Sequence, residues 1–75
     1  DGPGWYSDVV LRAHPDWLLS RRGVLVHNQS FAGAGRPFRS LTERDQVLSS
    51  YRLAAAQDTL LGDQAWVVYQ RRRVP

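Results

Sequence analysis

The chain has 75 residues, 43% of them hydrophobic, and a formal net charge of +3. This length fits one small domain better than several. The absence of cysteine excludes disulfides, a thiolate zinc site and a thiol nucleophile. The apolar runs are far shorter than the roughly 18 residues of a membrane-spanning helix, and the first residues do not resemble a signal peptide. We therefore expect a soluble chain with no membrane partner.

The chain shows no internal repeat, low-complexity tract or linker that would divide it. We expect residues 1–75 to form a single small domain. The sequence starts at Asp1 without an initiator methionine. The alternative is therefore a fragment or subunit of a larger protein.

The first segment, residues 5–13, carries aromatic and β-branched residues and predicts a strand. In that strand Val9, Leu11 and Ala13 would share one side. A helix capped by Ser7 is the alternative, since a serine before an apolar run is also a helix start signal.

The next two segments predict a short helix and a second strand. Residues 14–23 favour the helix, because Pro15 suits a first helical position and Gly23 suits a helix end. Residues 24–31 begin with an apolar run and predict the strand. A glycine-containing loop over residues 32–37 follows.

The second half predicts a long helix followed by a strand. Ser40 and Glu43 have the spacing of a capping box, which predicts a helix over roughly residues 41–61 that Gly62 ends. Residues 64–70 are rich in aromatic and β-branched residues and predict the third strand.

Together these elements predict an α/β or α+β fold with a small single-layer sheet of about three strands, one short helix and one long helix. The long helix would cross from the second strand to the third. Residues 66–69 are apolar without alternation, which is typical of a strand covered on both faces. One layer of a 75-residue chain can hardly supply both covers.

The predicted long helix has a second apolar side, formed by Leu53, Ala56 and Leu60. We interpret it as a contact surface for a protein partner or a second copy of the chain, with Trp66 and Val68 covered by the same partner. This makes a non-catalytic protein-interaction or assembly module our first hypothesis. The alternative explanation is that alanine favours helices and that exposed leucines are common.

Nucleic-acid binding is the second hypothesis, because guanidinium groups match phosphate geometry and the arginines occur in separate clusters that would need to converge in the fold. The alternative explanation for the terminal cluster is a solvated basic tail. The residues of this hypothesis are Arg21, Arg22, Arg36, Arg39, Arg71, Arg72 and Arg73.

An enzyme acting through His27 is the third hypothesis, with Ser30 and either Asp45 or Asp58 as triad partners. No nucleophile-elbow motif surrounds the serine. We interpret Asp63 as a turn residue. Two histidines and scattered aspartates do not predict a metal site, and we expect no cofactor.

Overall fold

A computed structural model describes residues 5–30 and 35–73. It shows a small α+β domain with a three-stranded antiparallel sheet and short helices, in agreement with the fold class expected from the sequence. No helix within these ranges is long and apolar enough to cross a membrane.

In the sheet, the last of the three strands in the chain lies between the first two. In chain order the elements are α1 (Tyr6–Ala13), β1 (Trp17–Arg21), α2 (Arg22–Leu25), α3 (Leu41–Leu48), β2 (Tyr51–Ala56), a 3-10 segment (Thr59–Gln64) and β3 (Trp66–Arg71).

The first predicted strand is a helix, so the helical alternative is correct there, except for its cap. α1 follows Trp5 and ends at His14, which has the left-handed φ of 47°. Pro15 comes next and disfavours continuation of the helix. Ser7 is not the cap: it lies inside the first turn, and its hydroxyl donates to Glu43 Oε1 at 2.6 Å.

The prediction of a helix and then a strand was also wrong. Residues 17–21 form β1, and residues 22–25 form α2. β1 exists because it pairs with β3, about fifty positions later, and local propensity does not reveal such a contact. Phe31 and residues 32–34 of the predicted glycine loop lie outside the described residues.

The predicted start of α3 is confirmed, since Ser40 Oγ accepts from the Glu43 backbone N–H at 3.1 Å. The predicted end at Leu61 is wrong. The helix stops at Leu48, and the alanine-rich segment after it becomes β2 through pairing with β3. Both pairings are antiparallel, so no helical crossover connects parallel strands. The third strand, β3, forms as predicted.

The hydrophobic core lies between the three helices and one face of the sheet. Asn28 holds the backbone of the buried Phe38 in place. Its side-chain amide donates to the Phe38 carbonyl and accepts from the Phe38 N–H, both at 2.9 Å. The buried core residues are Val10, Leu18, Leu25, Phe38, Val47, Tyr51 and Val67.

Candidate interaction surface

The strand register divides the sheet into two faces, because residues directly opposite each other in a ladder share a face. Leu18 lies opposite Tyr69 and both pack in or against the core, so their face is the inner face. The other set is named the outer face and consists of Trp17, Leu19, Arg21, Arg52, Ala55, Trp66, Val68 and Gln70.

The outer face is apolar at its centre and uncovered by any element of the described ranges. Trp17 is 55% exposed, Leu19 62% and Trp66 38%. α1, α2 and α3 all contribute buried residues to the core, and therefore pack on the inner face. Among the described elements, the sheet thus has a helical layer on one side only.

An arginine lies toward each end of the outer face. The Arg21 guanidinium is 3.9 Å from the centre of the Trp66 ring, and its Nη1 donates to the Gln64 carbonyl at 2.7 Å. Arg52 donates to the Gln70 side-chain oxygen. Within the described ranges neither arginine makes an ion pair with a carboxylate. The outer face itself contains no acidic residue.

The five residues predicted to bind a partner do not form one surface. Trp66 and Val68 belong to the outer face. Leu53 and Ala56 lie opposite Tyr69 and Val67, which places them on the inner side of the edge strand β2. Leu60 is 91% exposed in the 3-10 segment. The helix that was expected to align these residues does not extend beyond Leu48.

The predicted arginine clusters are not brought together. Arg21 lies opposite Trp66, at one end of the sheet, whereas Arg71 is five residues further along β3, a distance of about 16 Å.

Arg39 lies away from the sheet ends, between α1 and α3. Its Nη2 is 2.7 Å from Asp8 Oδ2 and its Nη1 is 2.8 Å from Glu43 Oε2. Arg22 directly follows Arg21 in the chain, and Arg36 is exposed.

Arg71, Arg72 and Arg73 line an open groove of about 880 Å³ at their end of the sheet. Arg71 is partly neutralised, since its Nη2 donates to Asp16 Oδ1 at 2.7 Å. Arg72 Nε donates to a backbone carbonyl at 3.1 Å. The remaining lining residues are His14, Trp17, Ser50 and Gln70. The groove therefore has three guanidinium groups and one carboxylate among its lining residues.

His27 has an acidic partner that sequence reasoning did not assign to it. Its Nδ1 lies 2.7 Å from Asp63 Oδ1, and Gln29 Nε2 donates to Asp63 Oδ2 at 2.7 Å. These two hydrogen bonds lower the pKa of the Asp63 carboxyl, and the one from Gln29 has the larger effect. Asp45 instead pairs with a neighbouring arginine, and Asp58 accepts a backbone N–H in the 3-10 segment.

No described hydroxyl group hydrogen-bonds to His27, and Ser30 is exposed. The described residues also contain no cluster of three or more groups that could hold a metal ion. The arrangement is an exposed histidine oriented by a carboxylate, without the nucleophile that a triad requires.

No protein-family model, curated protein or solved structure matches this chain significantly.

Proposed function

We propose that this chain is a non-catalytic protein-interaction or assembly module, and that it binds its partner through the outer face of the sheet. The supporting observation is that β3, the central strand, has an apolar sequence on both faces, whereas the helices of the described ranges cover only one of them.

Neighbouring residues of β3 differ in exposure according to the face on which they lie. Val67 is 1% exposed beneath the helices, whereas Trp66 on the opposite face is 38% exposed. Strands with uninterrupted apolar residues are typical of sheets that are buried on both sides. A partner on the outer face would give β3 the environment that its sequence favours.

The flanking strand adds to the same patch. Trp17 and Leu19 on β1 are both more than half exposed, and Leu19 lies directly opposite Val68. Full burial of a side chain such as leucine is worth about 1.5–3 kcal/mol, so a partner that covers this patch gains several kcal/mol. Contiguous apolar patches on small domains commonly mark interaction sites.

The proposal is tested by selecting binders from a random peptide display library on the purified chain, then measuring their affinity for single variants. We expect the affinity of the main selected class to fall at least about tenfold in Leu19→Ser. Leu11→Ser is the matched control, because Leu11 is also about half exposed but lies on α1, which packs on the inner side. Urea unfolding of both variants checks that the fold is retained.

Selected peptides that bind Leu19→Ser and Leu11→Ser equally well would show that the outer face is not the interaction surface. Light scattering on the purified chain adds a second readout. A dimer that Leu19→Ser dissociates would identify the partner as a second copy and support the assembly form of the proposal.

Nucleic-acid binding at the groove is a second candidate, favoured by its three arginines beside the exposed Trp17 ring. Guanidinium groups contact phosphates, and an exposed indole provides a surface on which a base can stack. This candidate uses only the C-terminal cluster of the arginines named from the sequence.

Fluorescence anisotropy with a labelled single-stranded oligouridylate tests the second candidate. Affinity should fall with salt, with a logarithmic slope of about −2 for three phosphate contacts. Arg73→Gln should weaken binding and lower that slope, whereas Arg22→Gln, the same charge change at the start of α2 beyond the far end of β1, should have no effect. Lack of binding at low salt would exclude this candidate.

A further inference from the structure

We propose that the partner of the outer face is an amphipathic α-helix with acidic residues at both ends of its apolar stripe. This inference rests on the proposed function and adds the secondary structure and charge of the partner.

The dimensions of the sheet fit a single helix. Three strands span two inter-strand spacings, or about 10 Å between the outer strand axes. A helix with its side chains is about 10–12 Å across, so one helix covers the width of the outer face. The inner face already has a helical layer, and a helix on the outer face would complete a three-layer α/β arrangement.

The charges of the outer face determine which charged residues the partner helix should carry. Arg21 and Arg52 are its only charged residues, and no carboxylate of the described residues pairs with either. In a face-to-face dimer every charged contact between the two outer faces would join arginine to arginine, which is repulsive. An apolar helix with carboxylates near both arginines is complementary to the surface, whereas a second copy is not.

The register also sets the spacing of the acidic residues. Arg21 lies opposite Trp66 and Arg52 opposite Gln70, on the two sides of β3. Four residues along the strand and two strand spacings across it put the two backbone positions about 16 Å apart. This distance corresponds to about 11 residues of helix, and 11 steps of about 100° return to within about 20° of the same side.

The two acidic residues of the partner should therefore be about 11 positions apart on one side of its helix. Apolar residues at helical spacing between them would contact Leu19, Ala55 and Val68. Arg21 is already held over Trp66 and by the Gln64 carbonyl, so less side-chain freedom is lost when it binds a carboxylate.

Two synthetic helical peptides of about 18 residues test the inference. Both carry the same leucine and alanine stripe. In the first, two glutamates about 11 positions apart flank the stripe, and in the second they are moved to the opposite side of the helix. Labelled peptide is titrated with the chain and followed by fluorescence anisotropy. We expect the first peptide to bind at least about tenfold more tightly, with the difference reduced by salt.

Variants of the chain separate the charge contribution from the apolar one. Arg52→Gln and Arg21→Gln should each weaken binding of the first peptide severalfold and leave the second unchanged. Arg12→Gln is the matched control, since Arg12 is exposed on α1, which packs on the inner side of the sheet. Leu19→Ser should weaken both peptides.

Equal affinity for the two peptides, with loss in Leu19→Ser, would overturn the acidic helix and leave the outer face as the binding surface. Failure of both peptides to bind would also overturn the inference, and the display selection then decides the proposed function independently. A Leu19-dependent dimer would replace the helix with a second copy.

Discussion

Leu18 and Leu19 are neighbours on β1, yet Leu18 is 3% exposed and Leu19 is 62% exposed. Both residues are leucines, so the difference in exposure arises from what covers each side chain. Leu18 points to the inner face beneath the helices, and Leu19 points to the outer face, which none of the described elements covers. The same strand therefore provides the core on one side and the proposed binding surface on the other.

The helical layer on the inner face, named the inner cover, is held in place by polar contacts as well as by packing. Ser7 and Arg39 both donate to the Glu43 carboxylate, which joins α1 to the beginning of α3. Asn28 brackets the backbone of Phe38 with two hydrogen bonds. The polar contacts found on the outer face join residues within the sheet or its connecting segment. Stability is thus concentrated on the inner side, which leaves the outer side available to a partner.

The largest expected contrast comes from removing these two leucine side chains separately. Leu18→Ala leaves a cavity in the core and should lower the free energy of unfolding by about 2–5 kcal/mol. Leu19→Ala removes exposed atoms and should change it by less than about 0.5 kcal/mol. Urea unfolding followed by circular dichroism measures both. Equal losses would mean that the outer face is covered in solution.

The sequence was sufficient to predict the elements with strong local signals. The capping pair Ser40 and Glu43 located the start of α3, and the aromatic and β-branched run located β3. The expected class and the number of strands agree with the structure, although β3 is the one predicted strand that forms where it was expected. These signals lie within a few residues of one another, so a single sequence reveals them.

The elements that depend on distant pairing could not be predicted in this way. Residues 53–56 favour a helix locally, yet they form β2 because β3 provides a ladder for them. The outer face exists only through this pairing, because it combines residues from three separate strands. The pair of His27 and Asp63, 36 residues apart, is hidden from sequence reasoning for the same reason.

The next largest loss of stability is expected when the side-chain amide of Asn28, which hydrogen-bonds to the Phe38 backbone, is removed. Asn28→Ala removes both hydrogen bonds to a buried backbone segment and should cost about 2–3 kcal/mol of unfolding free energy. Asn28 has a positive φ of 54°, so alanine adds backbone strain of about 1 kcal/mol. Asn28→Gly loses the hydrogen bonds without the strain. If glycine matches the wild type in urea unfolding, the amide does not stabilise the inner cover.

The carboxylate between α1 and α3 makes the inner cover sensitive to acid. Hydrogen bonds from the Ser7 hydroxyl, then from the Arg39 backbone and side chain, lower the pKa of Glu43 from 4.5 to about 2. A lowered folded-state pKa stabilises the fold fully above the unfolded value, and this contribution is lost as the pH falls from about 4.5 toward 2.

Thermal unfolding across that pH range checks this assignment. The melting temperature of the wild type should fall as acid protonates Glu43, and Glu43→Gln should flatten that part of the profile. Its melting temperature at neutral pH should also be lower, because the charged acceptor is lost. An identical acid slope in the variant would place the sensitive group elsewhere.

The smallest effect on stability is expected on the outer face itself. Arg21→Gln removes the guanidinium from the Trp66 ring and from the Gln64 carbonyl. A cation–π contact at a partly exposed site is worth about 0.5–1 kcal/mol, so urea unfolding should show a loss no greater than this. Severalfold weaker binding of the acid-flanked peptide by the same folded variant would mean that the Arg21–Trp66 pair serves recognition more than stability. A loss of several kcal/mol would instead make Arg21 a structural residue and remove it from the proposed interface.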